Sequence, residues 1–187
     1  RSLAVDFSVG SDYHTLNRLV VLDDQFRPLR QLEALNVQLE NVEDVRLFVH
    51  GGQLLGVGTQ PVGKGIGACR MCLLSFDAPL SKVELRPLES PFGANREKNW
   101  CPFPLGNELG FLYACNPEVF LRLPAGENRP VAFEGRRTPG AHQLRFYDCG
   151  STPAQTLDGQ HLFVAHRRSV RLPSLQRVYT SRLYLVS

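Results

Sequence analysis

Glu97-Lys98-Asn99-Trp100-Cys101-Pro102-Phe103, continuing as PLGNELGFLYA to Ala114, is the stretch on which the reading of the fold turns. It sets an acid, a base, an amide and the only tryptophan side by side. A buried strand normally avoids such a run, because each polar head needs a partner once it leaves water. A solvated turn has no use for Trp100 and Phe103. Polar heads beside a large flat ring suit a site for a polar molecule with apolar faces, and sugars fit that description. The competing structural reading is a strand that enters the core through a Pro-containing bend, with Trp100 and Phe103 as anchors.

Two other segments align with this one. EDVRLFVHGGQLLGVGT begins at Glu43 and GSTPAQTLDGQHLFVAH at Gly150, so the three starts lie 54 and 53 residues apart. Each has a polar lead-in, a short strand, a Gly-containing turn and a second apolar strand. A near-constant interval of this size, holding about four strands, matches one blade of a β-propeller. The rest of the chain agrees, since LNRLVVLD, ACRMCLLSF, KVELRPL, QLRFYD and SRLYLVS also read as short strands between turns. Helical spacing is confined to Pro28 through Val42, on Leu29, Leu32, Leu35 and Leu39.

The expectation is therefore an all-β fold, a single partial propeller domain with blades at about 1–42 (incomplete), 43–96, 97–149 and 150–187 (incomplete). The innermost strand of each blade lines the central channel, so the polar lead-ins converge there: Glu43, Asp44 and Arg46, then Glu97 to Trp100, then Ser151 and Thr152.

Composition is that of a globular protein, with 43% hydrophobic and 21% charged residues and a net charge of +3. The basic residues are dispersed, the nearest approach to a cluster being Arg167, Arg168 and Arg171, which argues against a nucleic-acid partner. No apolar run is long enough to span a bilayer, and the first residues, RSLAVDFSVG, lack the apolar core of a signal peptide. The compartment stays open. Five cysteines without framework spacing argue against a disulfide scaffold. Cys69 and Cys72 have the gap of a metal pair but lie in a strand-like run, where positions three apart face opposite sides. The histidines share no ligand spacing, so no metal is expected.

Glu43-Asp44-Val45-Arg46-Leu47-Phe48 resembles the Glu-Asp-Pro-Arg signature of five-bladed β-propeller carbohydrate-active enzymes, notably the β-mannoside phosphorylases of glycoside hydrolase family 130 and related β-mannosyltransferases. Glu97 to Trp100, and Gly150 to Ala154 with the strand ending at His166, resemble the next two blade signatures. The resemblance implies cleavage or transfer at a β-mannoside-like bond, with Asp44 as the general acid. It further implies sugar or phosphate binding by Glu43, Arg46, Glu97, Lys98, Asn99, Trp100, Thr152 and His166. An inverting displacement by phosphate needs cations in place of a second carboxylate, and Arg46, Lys98 and His166 would supply them. Trp100 would offer its ring to a sugar face. No cofactor is implied, and inorganic phosphate or a nucleotide sugar would be the co-substrate. The expected partner is an oligosaccharide or other glycan.

Val45 stands where the signature has Pro, and arginines follow His166. Five blades at this interval need roughly 265 residues, whereas the chain has 187. About three and a half blades are expected, and the favoured expectation is that a missing segment of a longer protein completes the ring, the alternatives being another protein chain or sheets that close in a smaller arrangement. The alternative function is a carbohydrate-binding or structural propeller module without catalysis, and a third reading is a structural β-domain of a larger complex in which Arg167, Arg168 and Arg171 touch a neighbour.

Overall fold

The computed structural model describes residues 4–6, 15–62, 68–115, 118–133, 149–171 and 176–186. Of these, 61% are in strands and 4% in helix, so the chain is all-β. The sheets are antiparallel and none closes on itself among the described residues. The chain divides into two compact units, Arg1–Pro87 and Leu88–Ser187.

The first unit opens with β1 (Ala4–Asp6) paired to β2 (Leu16–Arg18), and β3 (Val20–Leu22) paired to β4 (Pro28–Gln31). Helical spacing predicts a helix from Pro28, yet the only helix among the described residues, α1, spans Glu33–Gln38. Turn chemistry decides this. Asp23 Oδ1 accepts hydrogen bonds from the backbone N–H groups of Gln25 and Arg27, both at 2.9 Å, and closes the β3–β4 hairpin. Leu29 is left exposed on β4. The helix is pinned by Asn17, whose Nδ2 donates to the carbonyls of Leu39 and Val42 at 2.7 and 2.8 Å.

A four-stranded meander follows: β5 (Glu43–His50), β6 (Gln53–Pro61), β7 (Cys69–Phe76) and β8 (Val83–Pro87). The β5–β6 turn is Gly51-Gly52, both at positive φ (56° and 76°), the backbone a two-residue hairpin demands. Leu35, Leu39 and Val42 bury against Cys72, Leu74, Phe76 and Val83 to form this unit's core.

The second unit repeats the plan. Its first sheet is β9 (Cys101–Leu105), β10 (Glu108–Cys115), β11 (Glu118–Leu123) and β12 (Val131–Ala132), in that spatial order. In the next sheet β13 (Cys149–Gly150) and β14 (Gln155–Leu157) lie on one side of β15 (Gln160–Arg171), and β16 (Gln176–Val186) lies on the other. β13 and β14 thus act as one interrupted strand. The two sheets meet through Cys101, Phe103, Leu112 and Phe120 on one side and Phe163 and Ala165 on the other. Phe103 stacks edge-on to both Phe120 and Phe163, with centroids 5.9 Å away in each case.

Each of the three aligned segments therefore forms a hairpin at the start of a meander. The β11 strand was not legible as such, and QLRFYD (143–148) lies outside the described residues.

Candidate functional site

The Glu97 segment is drawn into the core of the second unit. Glu97 is 3% exposed, Asn99 3% and Trp100 0%; only Lys98 of the four is exposed. The Glu97 carboxylate accepts three hydrogen bonds: from Ser90 Oγ at 2.5 Å, Trp100 Nε1 at 3.2 Å and Tyr113 Oη at 3.3 Å. Burial raises its pKa above the ordinary carboxylate range, and the three donors pull the other way without overcoming it. Burial, reinforced by the facing Glu97 charge, pushes the Tyr113 phenol up as well. Trp100 packs on Phe111 and Tyr113, with ring centroids at 5.5 and 5.7 Å. The expected open ring face on Trp100 is thus corrected: the ring completes the core, because its N–H has a buried carboxylate to bond.

Sequence reasoning missed Ser90 and Tyr113, which make Glu97 tolerable in the core. Ser90 sits in a turn and carries no periodic signal. Tyr113 lies on β10 where the register against β11 slips between Leu112 and Ala114, so its placement follows from an irregularity that alternation does not show.

Asp44 stands differently. On β5, Glu43 pairs with Thr59 and Arg46 with Val57, so Asp44 and Val45 together oppose Gly58 alone. This is a β-bulge, and Asp44 holds φ +52° there with its side chain exposed. Glu43 and Arg46 flank it half-buried.

The third lead-in is tied into its own sheet. Ser151 Oγ lies 2.7 Å from His166 Nδ1, and Thr152 Oγ1 accepts a hydrogen bond from the Val164 N–H at 3.1 Å. These contacts bridge the gap between β13 and β14. The His166 ring packs on Tyr179, centroids 5.9 Å apart. Within this unit the second and third lead-ins do meet: a side chain at Gly150 would collide with Cys101 Sγ and lie 2.7 Å from the Asn99 carbonyl. The structure therefore ties Glu97 to Trp100 in a core network, buries Asn99 between them in the chain, sets Ser151 beside His166, and places Asp44 on the first unit's bulge.

No family model, curated protein or solved structure matches this chain. The site is judged on its chemistry alone. A cleft of about 1010 Å³ in the first unit is lined by Leu, Val and Phe side chains of β3, α1, the β5–β6 hairpin and the β7–β8 turn. None of the expected site residues lines it. Its one carboxylate, Asp77, already accepts from Ser81 and Lys82 and closes its own turn. Among the described residues no cluster of three or more His, Cys, Asp or Glu could hold a metal. No helix there is long and apolar enough to cross a membrane.

Proposed function

We propose that this chain is a non-catalytic module built from propeller-type β-meander repeats, serving as a binding or structural part of a larger assembly. The observation that carries this reading is the Glu97 network. The most polar stretch of the chain is used to hold its own core, with the Ser90, Trp100 and Tyr113 contacts to the carboxylate all made inside the unit. Segments 54 and 53 residues apart, each opening a meander, support the blade comparison. Burial of Trp100 removes the ring that a sugar face would need.

A second reading, a β-mannoside-active enzyme with Asp44 as general acid and phosphate or a nucleotide sugar as co-substrate, is favoured by one observation. Asp44 is exposed on a bulge in a backbone region that non-glycine residues seldom adopt, and such positions recur beside active sites. Turnover separates the two. Purified protein incubated with β-mannosides, with and without phosphate, is expected to release no sugar, and Asp44→Asn is expected to behave identically. Release of mannose or its 1-phosphate that falls by roughly 10²–10⁴ in Asp44→Asn would establish the enzyme instead.

A further inference from the structure

The β15–β16 hairpin carries charge of one sign only. From Gly159 to Ser187 the sequence has five arginines, Arg167, Arg168, Arg171, Arg177 and Arg182, and no Asp or Glu. Residues directly opposite in an antiparallel pair share a face of the sheet. On the face turned away from the Phe163–Ala165 core, Leu185 stands opposite Leu162, Leu183 opposite Val164 and Tyr179 opposite Arg168. Leu183, Tyr179 and Leu185 are 72%, 57% and 55% exposed. Arg168 and Arg177 are exposed at the other end of that face. β16 thus grades from apolar near its C-terminal end to cationic near its N-terminal end.

β16 also forms a ladder with β15 alone among the described residues. An edge strand this long with exposed leucines is one that natural sheets blunt or use. We infer that the edge of β16 accepts an extended peptide strand, antiparallel, with apolar residues in its N-terminal half and acidic residues in its C-terminal half. Antiparallel pairing sets the peptide's first half beside Leu185 and Leu183 and its second half beside Tyr179 and Arg177. Charge complementarity to the exposed Arg168 and Arg177 sets the partner's acidity. The exposed leucines and an outer edge that forms no ladder among the described residues favour a peptide over a nucleic acid, because main-chain hydrogen bonds and alternate side-chain contacts are what strand addition uses. This inference rests on the assembly reading and names the partner's chemistry.

The test is fluorescence anisotropy with the full chain and a labelled probe, Val-Thr-Val-Thr-Glu-Thr-Glu-Thr. Saturable binding is expected, with loss when alternate probe amides are N-methylated. The double variant Arg168→Glu/Arg177→Glu, its fold checked by circular dichroism, is expected to bind about tenfold more weakly. Equal binding of the methylated probe, unchanged binding by the folded double variant, or tighter binding of single-stranded oligouridine would each overturn the inference. Sugar release from mannosides with probe binding intact would overturn the assembly reading and leave the edge standing. Absence of both would overturn the edge alone.

Discussion

Glu97 shows how one partner set decides the meaning of a residue. Its carboxyl is raised by burial, so the folded state holds the proton more tightly than the unfolded chain. The resulting stability is fully present below the unfolded carboxylate pKa and is lost as pH rises through the folded value. Denaturant titrations across the acid range are expected to show wild type gaining on Glu97→Gln as pH falls; wild type losing ground there would reverse the sign. Glutamine can keep its oxygen on Trp100 Nε1 while its amide donates to the Tyr113 hydroxyl, which can rotate to accept; Ser90 Oγ already accepts from the backbone N–H groups of Phe92 and Ala94 and loses its acceptor. Glu97→Ala leaves the buried Trp100 N–H and the half-buried Ser90 and Tyr113 hydroxyls without that acceptor and is expected to cost about 3 kcal/mol, more than Glu97→Gln. Cys72 follows the same logic. Burial pushes its thiol up to about 11, and it donates to the Gly58 carbonyl at 3.4 Å. Its thiolate fraction near pH 8 is then about a hundredfold below that of an ordinary thiol. Iodoacetamide labelling read by mass spectrometry is expected to reach Cys72 well after the half-buried Cys69 and Cys149, and rapid labelling would contradict the burial.

At the scale of elements, hairpins were the most legible part of the chain. Gly51-Gly52, Gly106-Asn107 and Asp158-Gly159 all fall where turn chemistry predicts, and the β6 and β7 strands follow from apolar runs bounded by those turns. What alternation does not reveal is interruption. The break between β13 and β14 is bridged by Ser151 and Thr152, and the end of α1 is set by Asn17, over twenty residues away in the chain. Sheet contacts in the second unit turn on one small residue. Any side chain at Gly150 meets Cys101 Sγ and the Asn99 backbone carbonyl, and backbone cannot swing aside. Gly150→Ala is expected to destabilise by about 3 kcal/mol, the upper end for overpacking, in chemical denaturation. A loss below half a kcal/mol would mean that β13 and β9 are not so closely apposed.

For the whole molecule, fold class was readable and site geometry was not. Turn residues and alternation are local signals, enough for an all-β chain of meanders. Whether a Glu beside a Trp faces water or core depends on Ser90 and Tyr113, which no spacing rule connects to it. The same division predicts how the chain opens. Central strands bury side chains on both faces, as the adjacent pairs Met71 and Cys72 on β7 and Phe111 and Leu112 on β10 show at 0–1% exposure, and as the unbroken buried run from Leu55 to Thr59 shows on β6. β4 and most of β16 lie exposed. Amide hydrogen exchange is expected to be slowest in β6 and β7 within the first unit and in β10 within the second, with β4 and β16 exchanging first. Early exchange in β10 would place the stable centre elsewhere.

The bulge on β5 carries a further consequence, for inheritance. Gly58 faces Asp44 and Val45 together, one residue more than regular pairing holds, and a side chain there would strike Val42 Cγ1. Glycine and bulge thus form one heritable unit. Among descendants of this sequence, deletion of a residue from the bulge should free position 58 to acquire a side chain, and a larger residue at 58 should survive only where the bulge has been lost.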